Sequence, residues 1–217
     1  MKITVLCSSP EHPVWQALEG WIAYQTEQGY QAELVSDVSQ LQGGDFLFLV
    51  SCTAIVKKEI RDSYRNTLVL HASDLPRGRG WSPYIHEVLA GATRLTITLL
   101  EAEDAVDSGR IWLKQTVSLE GYELLPDILD KVTKAELTLM DRAISEFETI
   151  VPRDQTADGE SYYSRRTPDD SELDPALSLS TQFDLLRVVD NERFPAFFRL
   201  NGRKYRLKIE DMGPDED

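Results

Sequence analysis

The stretch Val69–Pro83, VLHASDLPRGRGWSP, changes character twice. It closes the apolar run TLVLHAS, breaks at Pro76, passes through Arg-Gly-Arg-Gly, and restarts at Ser82-Pro83 as SPYIHEVLAG. A continuous apolar run ended by a proline reads as a strand buried on both faces. Ser82 as cap, Pro83 at the first helical position and Gly91 as stop predict a helix after the loop. His71 then stands at the carboxyl end of a buried strand, directly above a glycine-rich loop. In open α/β sheets ligands bind beyond the carboxyl ends of strands. Position therefore makes His71 a candidate for function as well as a candidate core histidine.

The same pattern extends to both sides. KITVLCSS and GDFLFLVSC read as buried strands and QAELVS as a short one. Between the first two, PVWQALEGWIAYQTEQG sets Val14, Leu18, Trp21 and Ile22 on one helical face, with Gly29 as its stop. Trp15 and Trp21 belong to the core of that helix rather than to a ligand platform. KKEIRDSY predicts a short helix, RLTITLLEA and RIWLKQTVSL predict strands, and YELLPDILDKVTKAELTLMDRAISEFETI predicts one long amphipathic helix. Alternation of strand and helix predicts an α/β fold around a mostly parallel sheet with helices on both faces. Composition changes near Val151, so the chain divides into residues 1–150 and a C-terminal extension, residues 151–217. The extension opens with the polar, turn-rich PRDQTADGESYYSRRTPDDSELDP. A helix over STQFDLLRVVDN follows, and then Asn201-Gly202 between two β-like runs, a hairpin signal because both central residues of a type I′ turn need positive φ. The acidic end IEDMGPDED reads as a solvated, frayed tail.

The charge limits the partners. With a net charge of −14 the chain has the wrong global sign for binding nucleic acid through many phosphate contacts, and only a local basic pocket for a small phosphorylated ligand is expected. No apolar run approaches the roughly 20 residues that span a bilayer, so no membrane partner is expected. The amino terminus reads as a strand rather than a secretory signal, and Cys7 and Cys52 read as reduced, buried thiols of a cytoplasmic protein. His86 falls inside a helix and reads as structural or surface.

A second candidate loop, EAEDAVDSGRI, places Glu101, Glu103, Asp104 and Asp107 together. Taken alone it is a solvated acidic loop. Paired with His71, a carboxylate can fix the imidazole tautomer and stabilise its protonated form. The two stretches LHASDLPRGRGWSP and LTITLLEAEDAVDSGRI resemble the folate-dependent formyltransferases, whose pattern runs Asn-x-His, Ser-Leu-Leu-Pro-like turn, Gly-x-x-Pro and Leu-Asp-x-Gly. His71, Ser73, Leu75-Pro76, Gly80 and Pro83 match the first part, and Val106-Asp107-Ser108-Gly109 the last. SCTAIVKKEI resembles the segment lining the pterin pocket. The resemblance covers residues 45–150. In the extension, Arg165, Arg166, Thr167, Pro168, Pro195 and Phe197 match elements of the sugar-nucleotide N-formyltransferases, while Ala196 and Phe198 depart from them.

The resemblance implies a trimmed Rossmann-like sheet with a small C-terminal α+β extension. It also implies a one-carbon transferase, moving a formyl group from N10-formyltetrahydrofolate to the amine of a nucleotide-linked amino sugar, without a metal. His71 and Asp107 are the implied catalytic pair; Ile55, Ala102, Glu103 and Asp107 are the implied folate contacts. The expected acceptor contacts are Arg77, Arg79, Trp81, Arg165 and Arg166, with Gly78 and Gly80 letting the backbone approach the ligand. The expected partner is a small nucleotide sugar, with a homodimer as a further expectation. A tRNA acceptor is disfavoured by charge and by the lack of room for an oligonucleotide-binding barrel. The alternatives are formylation of a carrier-bound amino acid and a folate or nucleotide binder without catalysis. Two departures stand out. Val69 replaces the family's Asn, and Asn66, Ser51, Thr53 and Asn191 are candidates to supply the missing donor. The half before Gly43 is also short.

Overall fold

The computed structural model describes residues 1–214. Its centre is a six-stranded sheet in the order β2-β1-β3-β4-β6-β7. The strands are β1 (Lys2–Leu6), β2 (Gln31–Val35), β3 (Gly44–Leu49), β4 (Tyr64–His71), β6 (Arg94–Glu101) and β7 (Ile111–Ser118). Pairings β1–β2, β1–β3 and β3–β4 are parallel, as the alternating pattern predicts. Pairings β4–β6 and β6–β7 are antiparallel, so the sheet is mixed. The reason lies in helix α3 (Pro83–Leu89), which joins β4 to β6. Its seven residues span about 10 Å at 1.5 Å per residue. An eight-residue strand such as β4 runs about 26 Å. Helix α3 is too short to return the chain to the far end of the sheet, so β6 starts beyond the carboxyl end of β4, passes His71 at Thr98 and runs the other way. Ser82 precedes α3 in a left-handed conformation, φ 45°, and its hydroxyl makes no capping bond, against the predicted cap.

The two faces are covered unequally. Ile3, Val5, Phe46, Phe48, Leu68, Leu95, Ile97 and Leu99 face helix α1 (Trp15–Glu27) and the 22-residue helix α4 (Leu125–Glu146). The heptad-like spacing of Ile128, Val132, Ala135, Leu139 and Ala143 puts one apolar stripe of α4 on this face. Trp21 packs edge-on against Phe48 and donates its indole N–H to Asp141, 2.8 Å away. On the opposite face, the four-residue helix α2 (Lys58–Arg61) and a short 3₁₀ turn at Val38–Gln40 cover Leu6, Val35, Leu47, Leu49 and Tyr64.

The extension returns onto this unit. Strand β8 (Tyr162–Tyr163) pairs in parallel with β5 (Arg79–Gly80) of the glycine-rich loop. The expected long helix over residues 180–191 is shorter than its pattern suggests, a 3₁₀ turn at Ser180–Gln182 followed by α5 (Phe183–Arg187). Strands β9 (Ala196–Leu200) and β10 (Arg203–Leu207) form the predicted hairpin, with φ 51° at Asn201 and 72° at Gly202. Leu173, Leu186, Val189 and Ala196 make a small core of their own. The acidic end is less frayed at its start than predicted, because Asn191 accepts from the Ile209 N–H and donates to the Ile209 carbonyl. Residues 215–217 of that predicted tail lie outside the described residues.

Helix α5 is docked by charge. Arg187 and Glu123 are both buried; Arg187 Nη2 lies 3.3 Å from Glu123 Oε2 and its Nε donates to the Glu123 carbonyl. Burial works against the Glu123 charge. Hydrogen bonds from Lys131 and from the Glu120 and Gly121 N–H groups outweigh it and hold the carboxyl down at about 2. Removing one partner of a buried pair typically costs about 3–5 kcal/mol. Glu123→Gln is expected to lower the unfolding free energy measured in urea by an amount in that range. In the parent chain, the stabilisation from Glu123 is present above the unfolded carboxylate value of about 4.3 and is lost as pH falls toward 2. The acid limb of the stability–pH curve is therefore expected to flatten in the variant.

Candidate functional site

A cavity of about 750 Å³ opens where the strand order reverses, beyond the carboxyl ends of β1, β3 and β4. His12 and Val14 follow β1, Ser51–Val56 follow β3, and His71 ends β4. The acidic loop, residues 102–110, closes one side, and α3, α4 and the extension close the other.

His71 is 7% exposed, and each ring nitrogen faces an oxygen. Nδ1 lies 3.5 Å from Asp107 Oδ1, and Nε2 lies 2.8 Å from the Gly78 carbonyl. Asp107 spends its second oxygen on the glycine-rich loop, accepting from the Gly80 N–H at 2.9 Å. Because β6 runs away from His71, the loop after it has to fold back along β4 to bring Asp107 there. Two features make that return. Asp107 adopts φ 55°, a left-handed conformation that Asp tolerates. Gly109 sits so close to the Glu101 backbone that a Cβ would lie 1.9 Å from the Glu101 carbonyl oxygen.

Gln155, which the sequence did not single out, ties the loops together. Its Nε2 donates to the carbonyls of Asp107 and Gly109, both at 2.8 Å, and its Oε1 accepts from Arg79 Nη2 at 2.9 Å. It lies in the polar stretch after α4, where sequence pattern shows only turn chemistry. His12 is a second residue missed as a cavity group. Burial and then the neighbouring Arg193 hold its imidazole below its ordinary value.

The predicted ligand residues divide by location. Ile55, Ala102, Glu103, Asp107, Trp81, Arg165 and Arg166 all line the cavity. Arg165 stacks over the Trp81 ring, 5.0 Å from its centroid, and burial pulls the Arg166 guanidinium below its ordinary value. Arg77 and Arg79 do not line it. Arg79 pairs with Glu160 at 2.5 Å, and Arg77 lies beside Gly159, so both serve the seam between loop and extension. The need for glycine at position 80 has the same origin. At φ 95°, a Cβ there would meet the Tyr163 carbonyl oxygen at 2.5 Å, so strand β8 rather than a ligand makes the close approach. Val69 lines the cavity and brings no donor. Among the candidates to replace it, Ser51 and Thr53 line the cavity. Asn66 donates to the Asp45 carbonyl and Asn191 to the Ile209 carbonyl, and neither lines it. His86 stacks flat on Tyr163 at 4.5 Å, a packing role. Cys7 is buried and Cys52 half-buried, both as free thiols. Among the described residues there is no cluster of three metal-ligating side chains, and no helix is long and apolar enough to cross a membrane.

With this geometry in place, comparison with known proteins is informative. The formyl transferase family profile matches residues 4–144. A curated relative, a methionyl-tRNA formyltransferase of Rickettsia massiliae, is 24% identical over 77% of this chain and 55% of its own length. The chain thus spans about half the length of the curated relatives it matches. Among solved structures, a methionyl-tRNA formyltransferase from Clostridium thermocellum aligns with a TM-score of 0.82 at 21% identity, covering 98% of this chain and 94% of that one. HypX from Aquifex aeolicus in complex with tetrahydrofolic acid aligns at 0.81 and 18% identity, covering 96% of this chain and 37% of that one. A sugar N-formyltransferase from Shewanella aligns at 0.72 and 14% identity, covering 99% of both chains. At these identities the structures establish a shared fold.

Overpacking a close backbone contact typically costs about 1–3 kcal/mol. Gly109→Ala is therefore expected to lower stability by that amount in urea unfolding, whereas Val106→Ala, at an exposed position of the same loop, leaves it unchanged.

Proposed function

The chain belongs to the formyl transferase family, and on that premise we propose that it moves a formyl group from N10-formyltetrahydrofolate to the amine of a nucleotide-linked amino-deoxy sugar, a step in making a surface polysaccharide or glycan. One observation carries the reading: the His71–Asp107 pair lies in the wall of a single cavity lined by both the α/β unit and the extension. A volume of about 750 Å³ lies within the range of small-molecule sites. The lining residues differ in chemistry. Ile55, Ala102 and Glu103 belong to the side proposed for the folate, and Arg165, Arg166 and Trp81 to the side proposed for the nucleotide.

In the proposed reaction the neutral amine attacks the formyl carbon. The new N–C bond forms, the bond from the folate nitrogen to that carbon breaks, the amine gives up a proton, and the folate nitrogen takes one. Negative charge gathers on the formyl oxygen in between. A donor about 2.7–3.1 Å from that oxygen stabilises the charge. His71 is the group for this and for proton movement, with Asp107 orienting its ring. Both ring nitrogens already face oxygens, so the reacting group has to share one of them. Ser51 or Thr53 would supply the donor that Val69 lacks. Arg165 and Arg166 would meet the phosphates, which answers how a chain of net charge −14 holds an anion locally.

A second reading is favoured by the names of the curated relatives, which are methionyl-tRNA formyltransferases. The net charge counts against it, since phosphate contacts dominate affinity for nucleic acid. Release of tetrahydrofolate from N10-formyltetrahydrofolate, followed with UDP- and dTDP-linked amino sugars and with methionyl-tRNA, separates the two. General acid–base groups typically contribute about 10²–10⁴-fold. His71→Ala is expected to keep its fold by circular dichroism and to lose turnover by that factor; undiminished turnover would sink the assignment.

A further inference from the structure

Glu136 is unusual in this molecule. It lies on α4 among Val132, Ala135, Leu139 and Met140, is 8% exposed, and lines the cavity. Among the described residues no group hydrogen-bonds to its carboxyl, and yet its oxygens are not sealed from solvent, so the carboxyl opens into the cavity. Tyr84 of α3 and Thr133 of α4 line the same cavity; Thr133 lies one helical turn before Glu136, and Tyr84 is near enough to feel the Glu136 charge. Around them are Leu125, Leu129 and Val132. The charged groups nearby are accounted for: Arg193 is paired with Asp190 at 2.6 Å, and His12 accepts from the Val14 N–H. Just after β1, Cys7 presents a buried thiol that burial pushes up.

We propose that Glu136, with Tyr84 and Thr133, forms a neutral hydroxyl-recognition site on the acceptor side of the cavity, which selects an acceptor carrying sugar hydroxyls over one carrying an apolar side chain. This rests on the proposed transfer to a nucleotide sugar and names how the sugar ring is read. Burial pushes the Glu136 carboxyl up to about 8 and, with Glu136 adding to burial, the Tyr84 hydroxyl up to about 12. At neutral pH both are mainly protonated, and each can donate and accept one bond without a buried charge. A hydroxyl-bearing ring with an apolar edge matches both the polar groups and the surrounding leucines. An apolar side chain in the same place would leave the acid unpaired, and a site built to bond a substrate hydroxyl discriminates strongly against an analogue without it. The phosphates stay outside this region, near Arg165 and Arg166.

The test compares binding of UDP- and dTDP-linked 4-amino-4-deoxyhexoses with that of free UDP and dTDP, by titration calorimetry on the full chain. Glu136→Leu is expected to weaken the nucleotide sugars about tenfold to a hundredfold, the loss that an unpaired buried partner produces. It should leave the free nucleotides at parent affinity. Glu136→Gln, which keeps a neutral donor and acceptor, is expected to recover most of the loss. Tyr84→Phe and Thr133→Val, each removing one hydroxyl, carry the test should the leucine variant fail to fold, and each is expected to weaken the sugars but not the nucleotides. Parent affinity for the nucleotide sugars in the leucine variant, or in both hydroxyl variants, would overturn the proposal. So would an equal loss for free nucleotides. A parent protein that binds no nucleotide sugar but formylates methionyl-tRNA would overturn the proposed function itself, and the sugar site with it.

Discussion

Asp107 is held in place by a backbone fit that admits no side chain at Gly109, and most of the site depends on it. One carboxylate oxygen faces His71 and the other holds the Gly80 N–H. The histidine, the glycine-rich loop and the acidic loop are thereby fixed by a single group. A carboxylate that accepts from a backbone N–H and faces an imidazole is oriented from two directions, and it can in turn hold that ring in one rotamer. The arrangement exists because β6 is antiparallel. A parallel β6 would have delivered the loop after it directly to the carboxyl end of the sheet; here the loop must double back, and left-handed Asp107 with Gly109 makes the return.

The extension completes this arrangement rather than hanging from it. Strand β8 pairs with the glycine-rich loop, Gln155 bonds both loops, and Arg79 closes the ring through Glu160 and Gln155. On the far side, buried Arg187 and Glu123 lock α5 to the start of α4. A buried pair of this kind is weak evidence for net stability but strongly constrains how two segments dock, since breaking it strands a charge. The cavity walls are therefore contributed by segments far apart in the chain, and their spacing is set by polar contacts with little tolerance.

Charge is unevenly distributed over the cavity lining. Arg165 and Arg166 are part of it although the chain as a whole is strongly acidic. On the α4 side burial raises the Glu136 carboxyl, Arg193 is paired with Asp190, and burial with the nearby Arg193 lowers the His12 imidazole. The proposed nucleotide sugar has an anionic portion and a neutral polar portion to match.

Much of this was legible in the residues themselves. The strands, the long helix, the Asn201-Gly202 hairpin and the position of His71 at a strand end follow from local pattern, because apolar periodicity and turn chemistry act within a few residues. Sequence alone set the acidic loop beside His71 only as a chemical possibility, and the resemblance of the two stretches to a family singled out Asp107, since no spacing rule links a strand end to a distant loop. Tertiary structure decided the rest. Pattern assigned Arg77 and Arg79 to a ligand and Gly78 and Gly80 to a close ligand approach, whereas the seam with β8 engages Arg79 and Gly80. It read Asn66 and Asn191 as spare donors, whereas both are spent on backbone carbonyls. It passed over Gln155 and Glu136, an ordinary polar residue in a turn-rich stretch and one acid on an amphipathic helix. A side chain's chemistry is written in the sequence, but its partners and its exposure to water depend on which distant segments pack against it, and those determine whether it binds, braces or recognises.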